Sequence, residues 1–334
     1  MSIISREIEM KGMKSNMKKR KEKRPSRLAE AFSKNRIRRT LSQIFIYILL
    51  IEIAFVILFP MLSKLSASLM SSSDMYDRTV MFIPRNPTLK NYKVVWEEAF
   101  FLIAARNTIL ISLLAALLQT LICAMTGYGL AKIKSKLGNL VLLFVVLTIL
   151  IPPQIILVPM FLKFRFFDIA GIIEAITGGT VTLMNSVWPI VILSATGLAF
   201  KNGLYIFIMR QFYKGIPEEI EEAASIDGYG IFPTYFKVVL PMSIPMMITI
   251  FMFSFSWQWT DTFYSGMFFS ELKVLSNTIF TMTSAFHSGN FAGNYSTSSL
   301  LQTGVLMAIV PLIIIYIFAQ RKIIGGIERS GLVG

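Results

Sequence analysis

Long apolar runs constrain the fold of this chain more than any other feature of its sequence. Residues of the set AVILMFWYC make up 54% of the 334 residues and charged residues only 16%, so an ordinary water-soluble domain is excluded. A hydrocarbon layer about 30 Å thick needs about 20 apolar helical residues to cross it. The segments that meet this length are residues 41–62, 108–131, 140–162, 187–209, 241–263 and 302–319.

These runs are continuous rather than alternating, which predicts helices and not the short strands of a closed barrel. The predicted fold class is therefore all-α polytopic membrane protein with six transmembrane helices. Residues 63–107, 163–186 and 264–301 are predicted to face outward. The connections on the other side carry the cations Lys132, Lys134, Lys136, Arg210, Lys214, Arg321 and Lys322, while the long outer segments are mixed in charge or nearly neutral, so the positive-inside rule predicts that these connections are cytoplasmic.

The positive charge belongs to an N-terminal tail. Residues 1–40 hold 14 basic and 4 acidic residues, a net of +10 within the formal +14 of the chain. Such a tail before an apolar run predicts a cytoplasmic N-terminus, with binding of anionic lipid or nucleic acid as the alternatives. We favour the topology role, with membrane lipid and no nucleic acid as partner. The run exceeds the apolar region of a signal peptide, so it is predicted to stay as an uncleaved anchor.

Residues for the common catalytic and metal sites are missing from the sequence. No phosphate-binding GxxxxGK segment followed by Ser or Thr occurs, so the chain itself is not predicted to bind ATP. His287 is the only histidine and Cys123 the only cysteine, so the sequence lacks the residues for the common histidine metal sites, for a histidine-based catalytic triad and for a cysteine metal site. The predictions are a protein that is not an enzyme, with no cofactor and no metal.

Two charged residues fall inside predicted membrane helices, where charges are costly and often functional. Lys201 lies nine residues before Arg210, about 14 Å along a helix. It is a candidate for the transport path, or it pairs with a neighbouring subunit, eased by a helix break at residues 202–203. Glu52, near the middle of the first run, has the same two interpretations.

The connection at residues 210–240 has an amphipathic design of its own. Pro217 suits the first turn of a helix, and the four glutamates that follow favour its positive end. Ala223 and Ala224 predict a compact helix with a small-residue face, and Gly228 predicts its end. A second short helix is predicted over residues 231–240. A rigid surface helix of this kind suits docking into a groove of a partner, although an ordinary interfacial helix has the same pattern.

This connection resembles the "EAA" loop of binding-protein-dependent ABC importer permeases. The resemblance rests on the Glu-Ala-Ala triplet 222–224, on Gly228 four residues later, and on the Leu-Pro ending at residues 240–241, with Val238 where that pattern has Ile. Flanking segments, including Asn-Pro-Thr at residues 86–88, are similar to the sugar-importer branch and its maltose-type permeases. The similarity covers residues 82–334, and the basic tail lies outside it.

The resemblance implies a type I ABC importer permease fold and a set of partners. These partners are a second, homologous permease subunit, two ATP-binding-cassette ATPase subunits and an extracellular or periplasmic solute-binding protein. It assigns the docking of a coupling helix on one ATPase to Glu222, Ala223, Ala224, Asp227 and Gly228. It also implies that the outer segment at residues 272–299 reaches into the binding protein.

The implied function is import of a carbohydrate, with an oligosaccharide favoured and an acidic sugar drawn by Lys201 as a refinement. Trp257 and Trp259 are candidates for the translocation path, although aromatic residues near helix ends are also common interface anchors. An ion-coupled transporter is the main rival, but it predicts acidic or histidine relays and an inverted repeat, which are not visible. A membrane scaffold that recruits a partner is the other alternative.

The predicted organisation has four parts. Residues 1–40 form the cytoplasmic tail, and residues 41–101 form the first transmembrane helix with its outer loop. The permease domain covers residues 102–320 and includes the coupling loop at 211–240, while residues 321–334 form a cytoplasmic C-terminal tail. The predicted location is the bacterial cytoplasmic membrane.

Overall fold

The computed structural model describes residues 26–98, 100–133, 135–279, 281 and 296–331. Within this part of the chain the prediction of a helical protein is confirmed, because the only β-pairing is a single antiparallel bridge between Phe167 and Val181. His287 and Lys134 lie outside the described residues. In chain order the main helices are α1 (Ser26–Leu69), α2 (Ser72–Tyr76), α3 (Lys90–Glu98), α4 (Phe101–Lys132), α5 (Lys136–Leu150), α6 (Leu157–Arg165), α7 (Ile172–Thr177), α8 (Trp188–Ala195), α9 (Asn202–Lys214), α10 (Glu218–Ile226), α11 (Ile231–Trp259), α12 (Phe263–Phe268) and α13 (Thr297–Gly331).

Four helices are long and apolar enough to cross a membrane. The stretches concerned are Arg39–Leu69 of α1, all of α4, all of α11, and Thr297–Gln320 of α13, with mean hydropathies between 2.0 and 2.7. They agree with the first, second, fifth and sixth predicted crossings. A broken helix pair would count as a fifth span, so length and composition alone do not give the predicted number of six.

The third predicted crossing is bent near its middle. Helix α5 ends at Leu150, and the helical stretch Pro153–Arg165 leaves it at an angle of 100°. Ile151 lies in the extended region at φ −76° and ψ 120°, because the residue before a proline is driven out of the α-helical region. The Pro152-Pro153 pair then lacks two backbone donors that a continuous helix would need.

The fourth predicted crossing is also broken, between α8 and α9. Gly197 takes a left-handed conformation at φ 74°, and the carbonyl of Leu193 accepts hydrogen bonds from the N–H groups of Leu198 and Ala199. This closes the end of α8. Lys201 is also left-handed at φ 75° and precedes the first residue of α9. The break therefore lies at residues 196–201, just before the Asn202-Gly203 pair at which the sequence analysis placed it.

The described part of the chain divides into two compact units, one that ends at residue 63 and one that begins at residue 64. In the first unit, α1 presents an apolar surface, and Phe45, Ile51 and Val56 are each exposed by more than half. Glu52 is exposed among them. In the second unit, α4 packs against α8, α9 and α11.

Small residues set the closest helix contacts of the second unit. A methyl group on Gly127 of α4 would lie 2.7 Å from the Cβ of Met209 on α9, so this glycine is what lets the two helices approach. Gly203, in the first turn of α9, faces α5. A methyl group there would overlap the side chain of Thr148 and lie 2.9 Å from the carbonyl oxygen of Val145. Two tight glycine contacts thus hold α9 between its neighbours.

Candidate functional site

The connection predicted to carry a surface helix does form one. Helix α10 begins at Glu218, directly after Pro217, which lies in an extended conformation at φ −54° and ψ 138°. Glu218, Glu219 and Glu221 occupy its first turn, where the positive end of the helix dipole favours carboxylates. The local sequence pattern is therefore sufficient to explain where α10 starts.

The end of α10 depends on Gly228. Its φ of +84° is left-handed, its N–H donates to the carbonyl of Ser225 at 3.0 Å, and the N–H of Tyr229 donates to the carbonyl of Ala224 at 2.9 Å. These two bonds form a Schellman motif, which commonly ends with glycine because glycine has no Cβ to strain. A Cβ on Gly228 would meet no atom within 4 Å. The glycine thus serves the backbone conformation and not the packing.

The outer surface of this loop carries exposed apolar side chains. Ile226 is 86% exposed, Phe232 is 75% exposed and Ile231 is 67% exposed. Glu222, Ala223, Asp227 and Gly228 are also exposed. We name the exposed residues Glu222, Ala223, Ile226, Asp227, Ile231 and Phe232 the loop patch. A patch of apolar groups with two carboxylates at its edge suits contact with another protein.

Ala224 corrects the prediction of a two-alanine docking face. Its side chain is only 6% exposed, whereas that of Ala223 beside it is exposed. Consecutive residues of a helix point about 100° apart, so one of two adjacent alanines turns toward the chain itself. Ala224 therefore packs α10 onto its own protein, and Ala223 is the alanine available to a partner.

Helix α10 is attached to the end of α4 by an ion pair. The ammonium of Lys132 lies 3.1 Å from a carboxylate oxygen of Glu221, and both side chains are largely buried. The contact lacks the alignment of a hydrogen bond. Lys132 also donates to the carbonyl of Ile216 at 3.2 Å. The last turn of α4 thus contacts both α10 and the residue that precedes Pro217.

A cluster of three tyrosines lies behind the loop. The ring of Tyr128 on α4 lies 4.7 Å from that of Tyr235 on α11 and 5.5 Å from that of Tyr213 on α9. Tyr213 donates a hydrogen bond to Ser243 at 3.1 Å. Tyr235 begins a π-helical turn that ends at Val239, and such turns are frequent at functional sites. The short helix predicted over residues 231–240 is therefore the first part of α11.

The tyrosine cluster was not found from the sequence. Tyr128, Tyr213 and Tyr235 fall near the ends of three different apolar runs, where aromatic residues are common whatever their role. Their meeting depends on how α4, α9 and α11 pack. No spacing rule in a single sequence brings Tyr128 together with two residues that lie 85 and 107 positions further on.

Two of the three path candidates lie together and the third does not. The ammonium of Lys201 lies 4.6 Å from the ring centre of Trp257 and 4.5 Å from that of Phe200. Trp259 is instead 3% exposed and donates its indole N–H to the carbonyl of Ala308 at 3.0 Å. It packs α11 against α13, as an aromatic residue with a satisfied polar group does in a core. The assignment of Trp259 to the path is therefore replaced by a packing role.

A cavity of about 700 Å³ opens between the two broken crossings and is lined by both Phe200 and Lys201. Its other cation, Lys163, donates to the carbonyl of Asp168 at 3.0 Å. Burial acts to raise the pKa of the Asp168 carboxyl, but hydrogen bonds from Ile173, Glu174 and Gly171 outweigh it and lower the pKa below its usual range. The Asp168 carboxylate is thus held by backbone N–H groups of its own loop.

Several membrane-length helices define a polytopic membrane protein, and the loop patch is an exposed apolar surface at the connection between α9 and α11. The chain belongs to the family of binding-protein-dependent transport system inner membrane components, whose model matches residues 122–324, more than half of the chain. This is a transport family and not an enzyme class.

Two relatives that the chain resembles are named as sugar transport permeases. The arabinooligosaccharides transport system permease protein AraQ of Halalkalibacterium halodurans is 29% identical over 288 residues, which is 84% of this chain and 93% of AraQ. The melibiose/raffinose/stachyose import permease protein MelC of Bacillus subtilis is 27% identical over 300 residues, which is 90% of this chain and 100% of MelC.

A solved structure has the same fold. It is a chain of a bacterial ABC transporter involved in the import of the acidic polysaccharide alginate, with a TM-score of 0.68 and 22% identity over 84% of this chain and 96% of that chain. The predicted family and the ABC importer permease fold are thereby confirmed.

Proposed function

We propose that this protein is one of the two permease subunits of an ATP-binding-cassette importer and forms half of the path for a carbohydrate. The observation that carries the proposal is the loop patch, an exposed surface formed by α10 and the first residues of α11. An import permease needs such a surface because it has no phosphate-binding loop of its own and must receive its energy from partner ATPases. The two named relatives, AraQ and MelC, support a carbohydrate as the substrate class.

The proposed topology has six crossings with both termini in the cytoplasm. The α5–α6 pair is the third crossing and the α8–α9 pair is the fourth, each broken as described above. Lys132, Lys136 and Lys214 support this orientation, because they lie at helix ends that meet on the side of the loop patch. The proposed domain boundaries remain those at residues 40, 101 and 320, with the coupling loop at 211–240.

In the proposed mechanism the loop patch docks on one ATPase subunit. Glu222, Ala223, Asp227 and Gly228 belong to the contact, while Ala224 holds α10 against its own chain. Closure of the ATPase pair on ATP then moves α10, and the ion pair with Lys132 and the tyrosine cluster pass this movement to α4, α9 and α11. A switch between two rigid arrangements, biased by nucleotide, is an established form of coupling.

The experiment that tests the proposal is affinity purification of the tagged chain in mild detergent, followed by mass spectrometry. We expect a second permease and an ATPase with a phosphate-binding loop, and a solute-binding protein when substrate is present. A Glu222→Lys variant should lose the ATPase and keep the second permease, because Glu222 is exposed on α10 and away from the membrane helices.

The same experiment separates the rival functions. Recovery of the chain alone, or only as a homo-oligomer, would contradict the importer and favour an ion-coupled transporter. Recovery of a partner without ATPase motifs, whose binding also depends on Glu222, would favour a membrane scaffold.

A further inference from the structure

The cavity between the two broken crossings carries charge of one sign only. Among the described residues that line it are Lys163 and Lys201, and neither aspartate nor glutamate is among them. Most of the remaining lining is aliphatic or aromatic. The ammonium of Lys163 donates one hydrogen bond to the carbonyl of Asp168 and keeps its charge, so both cations make the cavity positive.

Lys201 has no anionic partner in the part of the chain that the structure describes. The ion pairs found there join Arg85 to Asp77 and Lys132 to Glu221. The contacts of the Lys201 ammonium are instead with the rings of Phe200 and Trp257. Cation–π contacts position an ammonium without neutralising its charge, so a positive site remains.

The carboxylate of Asp261 already accepts hydrogen bonds from the residues that follow it. One of its oxygens accepts hydrogen bonds from the N–H groups of Phe263 and Tyr264, each at 3.2 Å. The other accepts from the N–H and the hydroxyl of Ser265, at 2.7 Å and 2.9 Å. Asp261 thus caps α12, and the ion pairs of the described residues do not join it to Lys201.

The backbone adds to the positive potential at Lys201. This residue adopts φ 75°, a conformation uncommon for a residue with a Cβ, and directly precedes the first residue of α9. The N-terminal end of a helix carries partial positive charge, and broken membrane helices direct such ends at anionic substrate groups. Helix α9 has 13 residues, so this end lies about 20 Å from Lys214.

That depth argues for a solute over a lipid. The hydrocarbon layer is about 30 Å thick and lipid headgroups lie at its two surfaces. If Lys214 lies at one surface, Lys201 lies well inside the layer, beyond the level of the headgroups. An anion that reaches Lys201 is therefore one that passes along the path between the helices.

We propose that Lys201, Phe200 and Trp257 form a subsite for the acidic group of an anionic sugar, such as a uronic acid residue of an oligosaccharide. The ammonium binds the carboxylate, and the Trp257 ring, which is half exposed, stacks on the apolar face of the sugar ring. This inference rests on the proposed function and names the substrate class of the path.

The test uses the complex with its partner subunits in vesicles. Uptake is measured for trisaccharides of galacturonic, glucuronic and mannuronic acid, each beside its carboxyl-reduced neutral counterpart. We expect the wild type to take up at least one acidic trisaccharide. In the Lys201→Met variant, the ratio of acidic to neutral trisaccharide uptake should fall about tenfold or more. Lys201→Arg should keep the ratio within about threefold, because the charge remains. Lys93→Met is the matched control, since it removes an exposed cation of α3 outside the cavity.

Each contrary result has a distinct meaning. Uptake of neutral trisaccharides only, or an equal loss of both kinds in Lys201→Met, overturns the subsite and leaves the importer intact. A complex without ATPase partners and without sugar uptake overturns both. Vesicles of phosphatidylcholine alone are compared with vesicles that also contain phosphatidylglycerol. Uptake could depend on phosphatidylglycerol, lose this dependence in Lys201→Met, and show no preference for acidic over neutral trisaccharides. That result would assign Lys201 to lipid binding and overturn the subsite.

Discussion

The loop around Gly228 and the start of α9 around Gly203 use glycine for opposite reasons. Gly228 has a left-handed backbone and open space where a Cβ would be. Gly203 lies in a regular helix and has no space, because Thr148 and Val145 of α5 lie against it. The first glycine shapes the exposed loop patch, while the second permits packing inside the chain. Substitutions at the two sites should therefore separate loss of function from loss of fold.

The largest effect is expected at the packed glycine. Gly203→Val would force α9 away from α5, and overpacking of this kind costs about 3 kcal/mol of folding free energy. The measurement is thermal unfolding of the detergent-purified chain, together with its amount in the membrane. Gly129→Val in α4 is the matched control, because a Cβ at Gly129 meets nothing within 4 Å. Equal stability of the two variants would show that α9 does not pack on α5 as described.

The next effect is expected at the open glycine. Gly228→Val places a β-branched residue at φ +84°, which strains the end of α10 without a clash. We expect uptake to fall at least tenfold while the amount of protein in the membrane stays near the wild-type level. Gly230→Val is the control, since Gly230 has a φ of −75° and open space. A loss of membrane protein in Gly228→Val would erase the contrast with Gly203.

A smaller effect is expected at the apolar part of the loop patch. Phe232→Ser removes a side chain that is 75% exposed in this chain and that the proposed ATPase would cover. Burial of a phenylalanine contributes about 2 kcal/mol, so the ATPase should bind about thirtyfold more weakly, as titration of the purified subunits would detect. Met81→Ser, at an 80% exposed position far along the chain from the loop, should leave this affinity unchanged. Equal binding in both variants would remove Phe232 from the interface.

The smallest effect is expected at the ion pair behind α10. Lys132→Met and Glu221→Gln, combined in a double-mutant cycle, should give a coupling free energy of about 1 kcal/mol. Both side chains are largely buried, which reduces screening by solvent. The measurement is the unfolding of the purified chain at low and high salt. A coupling of zero would mean that the ion pair does not help to hold α10, which then depends on the packing of Ile220 and Ala224.

Local features were predictable from the sequence wherever a single residue decides the backbone. The end of α10 at Gly228 followed from glycine's access to the left-handed region, and the long helices followed from the length of the apolar runs. Both are short-range effects. Residues close together in the sequence carry all of the information that such predictions need.

Features that depend on packing were missed or misassigned. Trp259 and Trp257 are two positions apart and look alike in the sequence, yet one is buried against α13 and the other is half exposed. The broken crossings have a local signal in Pro152-Pro153 and Gly197, but the apolar length of both segments predicts continuous helices. The cavity depends on both breaks at once, and no local pattern reports such a combination.

The continuity of α11 makes it a mechanical lever. Its 29 residues run from the loop patch to Trp259 without a bend large enough to divide it, which gives a rod about 43 Å long. A tilt of about 10° applied at the loop would sweep the far end sideways by about 7 Å, if the rod turns as one piece. The π-helical turn lies near the loop end of α11. A small change in its winding would therefore reorient nearly all of the helix that follows. The distant end, with Trp257 close to it, would then move by about the width of a sugar ring.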